Sequence, residues 1–131
     1  MLFRSKVIGE KCFAENAMLC YVVIPEGVET ISDNAFYRAS SLLYVDCPDS
    51  LTFIGNRAFY CSYSGSHFRW SANLKTIGDE AFFRCLFGDE IIFPEGLESI
   101  GREAFLGTGY SSVYFPSTIK QIGEQDRKSV V

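Results

Sequence analysis

The sequence predicts a solenoid of about five stacked 23-residue coils, β-rich, with short helical or 3-10 turns between strands. The first sign is the pattern Ile-Gly-x-x-Ala-Phe, which returns on a fixed beat. It reads Ile31-Ser32-Asp33-Asn34-Ala35-Phe36, Ile54-Gly55-Asn56-Arg57-Ala58-Phe59, Ile77-Gly78-Asp79-Glu80-Ala81-Phe82 and Ile100-Gly101-Arg102-Glu103-Ala104-Phe105. A degenerate copy precedes these at Ile8-Gly9-Glu10-Lys11-Cys12-Phe13, and every step among the five copies is 23 residues. A sixth begins at Ile122-Gly123 after a step of 22 and dissolves into a polar tail over 124–131. The second sign is a proline column on the same beat: Pro25, Pro48, Pro94 and Pro116, with Ser71 in the equivalent place. Chance does not lock two independent motifs to one period.

Each coil begins with a short strand. Pairs of apolar residues two apart stand before the proline: Val22/Ile24, Val45/Cys47, Phe68/Trp70, Ile91/Phe93 and Val113/Phe115. Period two puts both members on one face of a strand. Proline then ends the strand, because it cannot donate to a ladder. Pro-Glu-Gly at 25–27 and 94–96 suits a type I turn with Pro at i+1 and Gly at i+3. Val28/Ile31, Leu51/Ile54, Leu74/Ile77, Leu97/Ile100 and Ile119/Ile122 point inward after it, with mostly polar residues between. Ile and Ala, four apart, are expected to share one side of a helical or 3-10 turn.

A single coil cannot bury its apolar side, but copies stacked about 4.8 Å apart can, laying Ile on Ile, Ala on Ala and Phe on Phe. The twelve phenylalanines thereby gain a regular place. A composition 47% hydrophobic and 21% charged is that of a folded chain, and 131 residues fit one domain. A net charge of −4 with scattered basic residues argues against a nucleic-acid partner. No apolar run approaches the ~18–20 residues of a membrane span, so no membrane insertion is expected. The start of the chain lacks the apolar core of a signal peptide, which leaves the cytoplasm open as a location.

Cys12, Cys20, Cys47, Cys61 and Cys85 form no CxxC pair, and His67 is the one histidine, so neither a metal site nor a cofactor is expected. The odd, scattered set favours buried free thiols over a disulfide framework. No catalytic constellation stands out. Cys61 and His67 lie six apart with no third orienting group. Gly107-Thr108-Gly109 reads as a shortened inter-coil loop, not a phosphate loop. Asp49, Glu26 and Glu95 read as turn residues.

The residues from Leu42 to Phe59, Leu-Leu-Tyr-Val-Asp-Cys-Pro-Asp-Ser-Leu-Thr-Phe-Ile-Gly-Asn-Arg-Ala-Phe, resemble the unit of the BspA-like (Treponema-type) leucine-rich repeats. The resemblance covers residues 8 to 123. It implies a leucine-rich-repeat solenoid, curved, with parallel strands on its concave side. It also implies a class found on microbial, including bacterial, cell surfaces or secreted, whose members bind host or neighbouring-cell proteins. Some columns depart from the pattern. The Leu column reads Leu19, Leu42, Gly65 and Gly88, and the Cys column reads Ala39, Ser62, Cys85 and Thr108. No capping module is recognisable, so self-association through exposed end coils is an expectation; Leu2, Phe3 and Val7 are placed to plug one end and the run from Glu124 to Lys128 to blunt the other.

Function in such a chain is expected where positions vary while the interior repeats. One outward strand column reads Tyr21, Tyr44, His67, Glu90 and Ser112; the next reads Val23, Asp46, Arg69, Ile92 and Tyr114. The two columns are expected to form one continuous face, opposite a side carrying mainly Glu, Thr, Lys, Ser and Gln. Tyr and Arg anchor protein interfaces, so these residues, Ser112 apart, are the candidate partner-binding set. The plainer reading is that aromatic residues favour strands and stabilise each other across a ladder. Coil three, Cys61 to Trp70, keeps its length but loses its Leu and Pro, so a local irregularity is expected there, with Trp70 filling core. The expected function is non-catalytic protein recognition, the partner unidentified. The alternative is a structural spacer or self-assembling element with no dedicated ligand.

Overall fold

A computed structural model describes residues 5–88 and 90–123, with Ser66 by its backbone only. Leu2, Phe3 and the run from Glu124 to Lys128, expected to cover the ends, lie outside the described residues; Val7 is exposed. Eleven strands follow one another in the described chain: β1 Val7–Ile8, β2 Tyr21–Val23, β3 Thr30–Ile31, β4 Leu42–Asp46, β5 Phe53–Ile54, β6 Tyr63–Arg69, β7 Thr76–Ile77, β8 Glu90–Ile92, β9 Ser99–Ile100, β10 Ser112–Tyr114 and β11 Gln121–Ile122. The odd-numbered strands form one six-stranded parallel sheet in which Ile8, Ile31, Ile54, Ile77, Ile100 and Ile122 stand in register. The chain is thus a parallel-strand solenoid, one coil per 23-residue repeat.

The strands before the proline column do not form one sheet. They form a three-stranded sheet, β2-β4-β6, and a two-stranded sheet, β8-β10. Between these sheets the coils are linked by the bridges Ser64↔Leu86 and Leu86↔Gly109. The break falls where coil three departs from the repeat. Leu42 pairs with Tyr63 but Tyr44 pairs with His67, so β6 carries two extra residues in a bulge. A side chain at Gly65 would overlap the carbonyl of Leu43, which only glycine permits to lie so close. Tyr63, not Gly65, fills the Leu42 position; it is buried, and its ring meets Phe87 at 5.0 Å.

The expected helical turn between Ile and Ala does not form, and no helix occurs among the described residues. Asn34, Arg57, Glu80 and Glu103 each take a positive φ, as do Arg38, Cys61 and Arg84 four residues on. A left-handed residue every fourth position cannot continue a right-handed helix. The donors are also engaged elsewhere. The N–H groups of Asn34, Phe36 and Arg38 donate to the carbonyls of Asn56, Ala58 and Tyr60 in the next coil. Arg57, Phe59 and Cys61 repeat the pattern onto Asp79, Ala81 and Phe83, and Glu80, Phe82 and Arg84 onto Arg102, Ala104 and Leu106. The arc is therefore a ladder of turns.

The turn after the proline also differs from expectation. Val28 N–H donates to the Pro25 carbonyl, which puts Pro25 at position i and Gly27, φ +104°, at i+2. Positive φ at that place marks a type II turn, and Pro94 to Leu97 repeats it with Gly96 at +99°. In coil three Ser71 stands for the proline; its buried hydroxyl donates to the Leu51 carbonyl at 2.6 Å.

The glycine after each isoleucine has a physical cause. Asp33 Oδ1 accepts the Asn56 N–H, Asn56 Oδ1 the Asp79 N–H, and Asp79 Oδ1 the Arg102 N–H, each at 2.8 Å. A Cβ on Gly55 or Gly78 would sit 2.6 Å from the ladder oxygen beside it. Ser32 is tolerated where glycine is otherwise found, and there the preceding coil offers Glu10 instead of Asp or Asn.

Inside, Phe36, Phe59, Phe82 and Phe105 stack at 5.0–5.2 Å, and the exposed Phe13 continues the stack at 5.3 Å from Phe36. Ala35, Ala58, Ala81 and Ala104 are fully enclosed beside them. Trp70 packs on this core, 5.3 Å from both Phe82 and Phe93. In the Cys column the hydroxyl of Ser62 donates to the Phe59 carbonyl at 2.7 Å and the Cys85 thiol lies 3.0 Å from the same oxygen, so small polar side chains satisfy a buried carbonyl there. The five cysteines are unpaired, but burial holds only for Cys47 and Cys85; Cys12 is exposed, and Cys20 and Cys61 are half-buried.

Candidate recognition face

The two variable columns lie where strand alternation places them, on two separate ladders. On the first, Tyr21, Tyr44 and His67 stand in register, as do Val23, Asp46 and Arg69. On the second, Glu90 pairs with Ser112 and Ile92 with Tyr114. The expected single continuous face is therefore two patches, divided where the strand sheet breaks between β6 and β8.

Within the first patch the rings support one another. Tyr21 and Tyr44 lie 5.6 Å apart, and Tyr44 stacks on His67 at 4.1 Å with 8° between the planes. Arg69 reaches Asp46 at 3.4 Å and Asp49 at 3.2 Å, and it donates to the Cys47 carbonyl. Asp49 also accepts the Ala72 N–H. Arg69 therefore fastens coil three to coil two where the proline is missing, and Asp46 and Asp49 largely neutralise it. Large apolar side chains stand in water on both patches: Tyr21 is 70% exposed, Val23 67%, Ile92 60% and Tyr114 54%. Leu43 and Leu86, outside both predicted columns, are exposed beside them.

Two of the five thiols are held away from their reactive form. A thiol attacks as its anion. Burial pushes the Cys47 and Cys85 thiols up to about 12, with Asp46 adding to the effect at Cys47. No hydrogen bond joins Cys61 to His67, and no cluster of His, Cys, Asp or Glu among the described residues could hold a metal ion. No helix among them is long and apolar enough to cross a membrane.

Two features escaped the sequence reading. The side opposite the strand face is mostly polar, but Phe53 is exposed on it. Outside the core Phe stack runs a second aromatic ladder, Tyr37–Tyr60–Phe83, with spacings of 5.0 and 4.8 Å. It was readable in principle, since the column after each Phe runs Ala14, Tyr37, Tyr60, Phe83, Leu106.

Stacked parallel coils with an invariant interior and a variable strand face define a leucine-rich repeat protein. The chain belongs to the BspA-type leucine-rich repeat family, whose sequence pattern matches residues 6–126 in six copies. The fold is similar to that of a Treponema pallidum leucine-rich repeat protein (TM-score 0.75, 22% identity), over 89% of this chain and 62% of that one. It is also similar to a leucine-rich cell surface protein from Faecalibacterium prausnitzii (TM-score 0.64, 22% identity), over 85% of this chain and 34% of that one. The chain thus spans less than two thirds of either. No curated protein matches it.

Proposed function

We propose that this chain recognises another protein, without catalysis, through the strand face, which the family resemblance places on the concave side. Tyr21, Val23, Tyr44, Asp46, His67 and Arg69 form one patch, and Glu90, Ile92 and Tyr114 the other. The carrying observation is where apolar surface is left in water. Six of the ten large apolar side chains exposed among the described residues belong to this side: Tyr21, Val23, Leu43, Leu86, Ile92 and Tyr114. Clustered exposed apolar residues mark interaction surfaces, and tyrosine is a frequent anchor. That one protein of the same fold is a cell surface protein supports a surface setting for this one.

The test uses Tyr21→Ser with Ile92→Ser, one change in each patch and neither residue tied into the core. Stability should change by no more than about 0.5 kcal/mol, as for surface substitutions generally. Affinity for a partner isolated on the wild-type protein and then purified should fall by roughly tenfold or more, the consequence of removing anchors worth above ~1 kcal/mol. Lost stability with unchanged affinity would contradict the reading.

A second reading, association of copies through the first coil, is favoured by a depression of about 370 Å³ there, lined by Val7, Ile8, Phe13, Val22, Val23 and Ile24 among others. Light scattering across concentrations decides it: a rising mass supports self-association and a strict monomer contradicts it.

A further inference from the structure

The outer aromatic ladder is not explained by strand-face recognition. Tyr37, Tyr60 and Phe83 are half-buried, so each ring is packed on one side and presents an edge to water. The guanidinium of Arg38 lies 5.5 Å from the Tyr37 ring centre, and that of Arg84 the same distance from Phe83. Ala14 holds the ring position in coil one, which leaves a depression of about 440 Å³ beside Tyr37, lined also by Lys11, Glu15, Asn34 and Arg57.

Charge is unevenly placed around this ladder. Five described cations lack a carboxylate partner: Lys11, Arg38, Lys75, Arg84 and Arg102. All but Lys75 belong to the turn arc, although the chain as a whole carries −4. The acids of the middle coils are already engaged. Glu80 pairs with Arg57 at 3.2 Å, and Asp33 and Asp79 each accept a backbone N–H of the next coil. Glu15 lies beside this stripe, its N–H donating to the Tyr37 carbonyl, and neither Glu15 nor Glu103 forms an ion pair with Arg38 or Arg84. In coils two to four this stripe therefore offers aromatic edges between two guanidiniums that form no ion pair.

We propose that the stripe is a second protein-binding face, taking an acidic, proline-containing segment in polyproline II conformation. Spacing carries the choice of conformation. Steps of 5.0 and 4.8 Å place the Tyr37 and Phe83 rings about 10 Å apart along the solenoid, each with a guanidinium 5.5 Å from its centre. A polyproline II helix repeats every three residues at about 3.1 Å each, so residues i and i+3 share a side about 9.3 Å apart. A β-strand would put i and i+3 on opposite sides. Carboxylates at i and i+3 thus meet Arg38 and Arg84, while the prolines between them face to either side and hold the polyproline II conformation. The hydroxyls of Tyr37 and Tyr60 have no hydrogen-bond partner among the described residues and can donate to the segment's solvated carbonyls.

A labelled Glu-Pro-Pro-Glu-Pro-Pro-Glu peptide, titrated with the whole chain and followed by fluorescence anisotropy, tests this. Binding that weakens with added salt is expected. Arg38→Glu with Arg84→Glu should weaken it roughly tenfold or more, since two charge-assisted contacts are reversed. Tyr21→Ser with Ile92→Ser should leave it unchanged, which separates this face from the strand face. Should the double reversal fail to fold, Arg84→Gln serves, with a smaller loss expected. Absent binding, equal binding of the Lys-Pro-Pro-Lys analogue, or tighter binding of a single-stranded oligonucleotide would each overturn the proposal.

Discussion

The side built on two-residue strands and the side built on three- to seven-residue strands share one 23-residue period, yet only the first keeps its register throughout. Six short strands pair without interruption from Val7 to Ile122, whereas the longer strands split between coils three and four. Shorter strands are the more regular because other contacts fix their register. β5, β7 and β9 are flanked by the Asp/Asn ladder, by a glycine with no room for a side chain, and by the Phe stack. The longer strands have no such lock, so they tolerate the bulge at Gly65 and the exchange of proline for Ser71. Variation collects where register is not enforced, and that is the face proposed to bind.

The sharpest way to break this comparison is to remove a locked residue. Phe82→Ala deletes a fully buried ring stacked on Phe59 and Phe105 and should cost about 3–5 kcal/mol in chemical denaturation. Gly78→Ala brings a Cβ to 2.6 Å from Asn56 Oδ1 and should cost about 1–3 kcal/mol, the usual penalty of overpacking. Neither loss is expected from changing Tyr21 or Ile92.

Alkali gives a gentler test. Burial raises the Cys47 and Cys85 thiols from 9.0 and the Tyr63 phenol from 10.0, each to about 12. The unfolded chain loses these protons first, so their contribution is fully present below about pH 9 and is lost as pH rises toward 12. The melting temperature should fall across that window, and Cys85→Ala should make the fall shallower. An equally steep fall in the variant would mean that this thiol is not held neutral by burial.

Period, core columns and outward strand columns were all legible in the sequence, because each is a matter of which residue recurs at which offset. What was illegible depends on backbone donors. The pattern from Ile31 to Ala35 fits a helical turn by spacing alone. It fails because Asn34 and Phe36 send their N–H groups to the next coil, a choice made only when a second coil is present. Gly27 was read at the wrong turn position because offsets do not reveal φ. Gly65 sat in the Leu column by count, yet the bulge brings Tyr63 there. Arg69 read as a binding residue by type; its ties to Asp46, Asp49 and Cys47 give it a structural task as well. The outward strand columns were legible as positions that vary from coil to coil; their division between two sheets was not.

Native-state hydrogen exchange measures the contrast between the two sides most directly. The amides of Gly55, Gly78 and Gly101, bonded to the carbonyls of Ile31, Ile54 and Ile77, should exchange only through global unfolding. Those from Ser64 to His67, at the bulge, should exchange through local opening, by roughly a hundredfold or more faster. Equal protection at both places would contradict the account, because the strand face would then be locked as firmly as the ladder behind it.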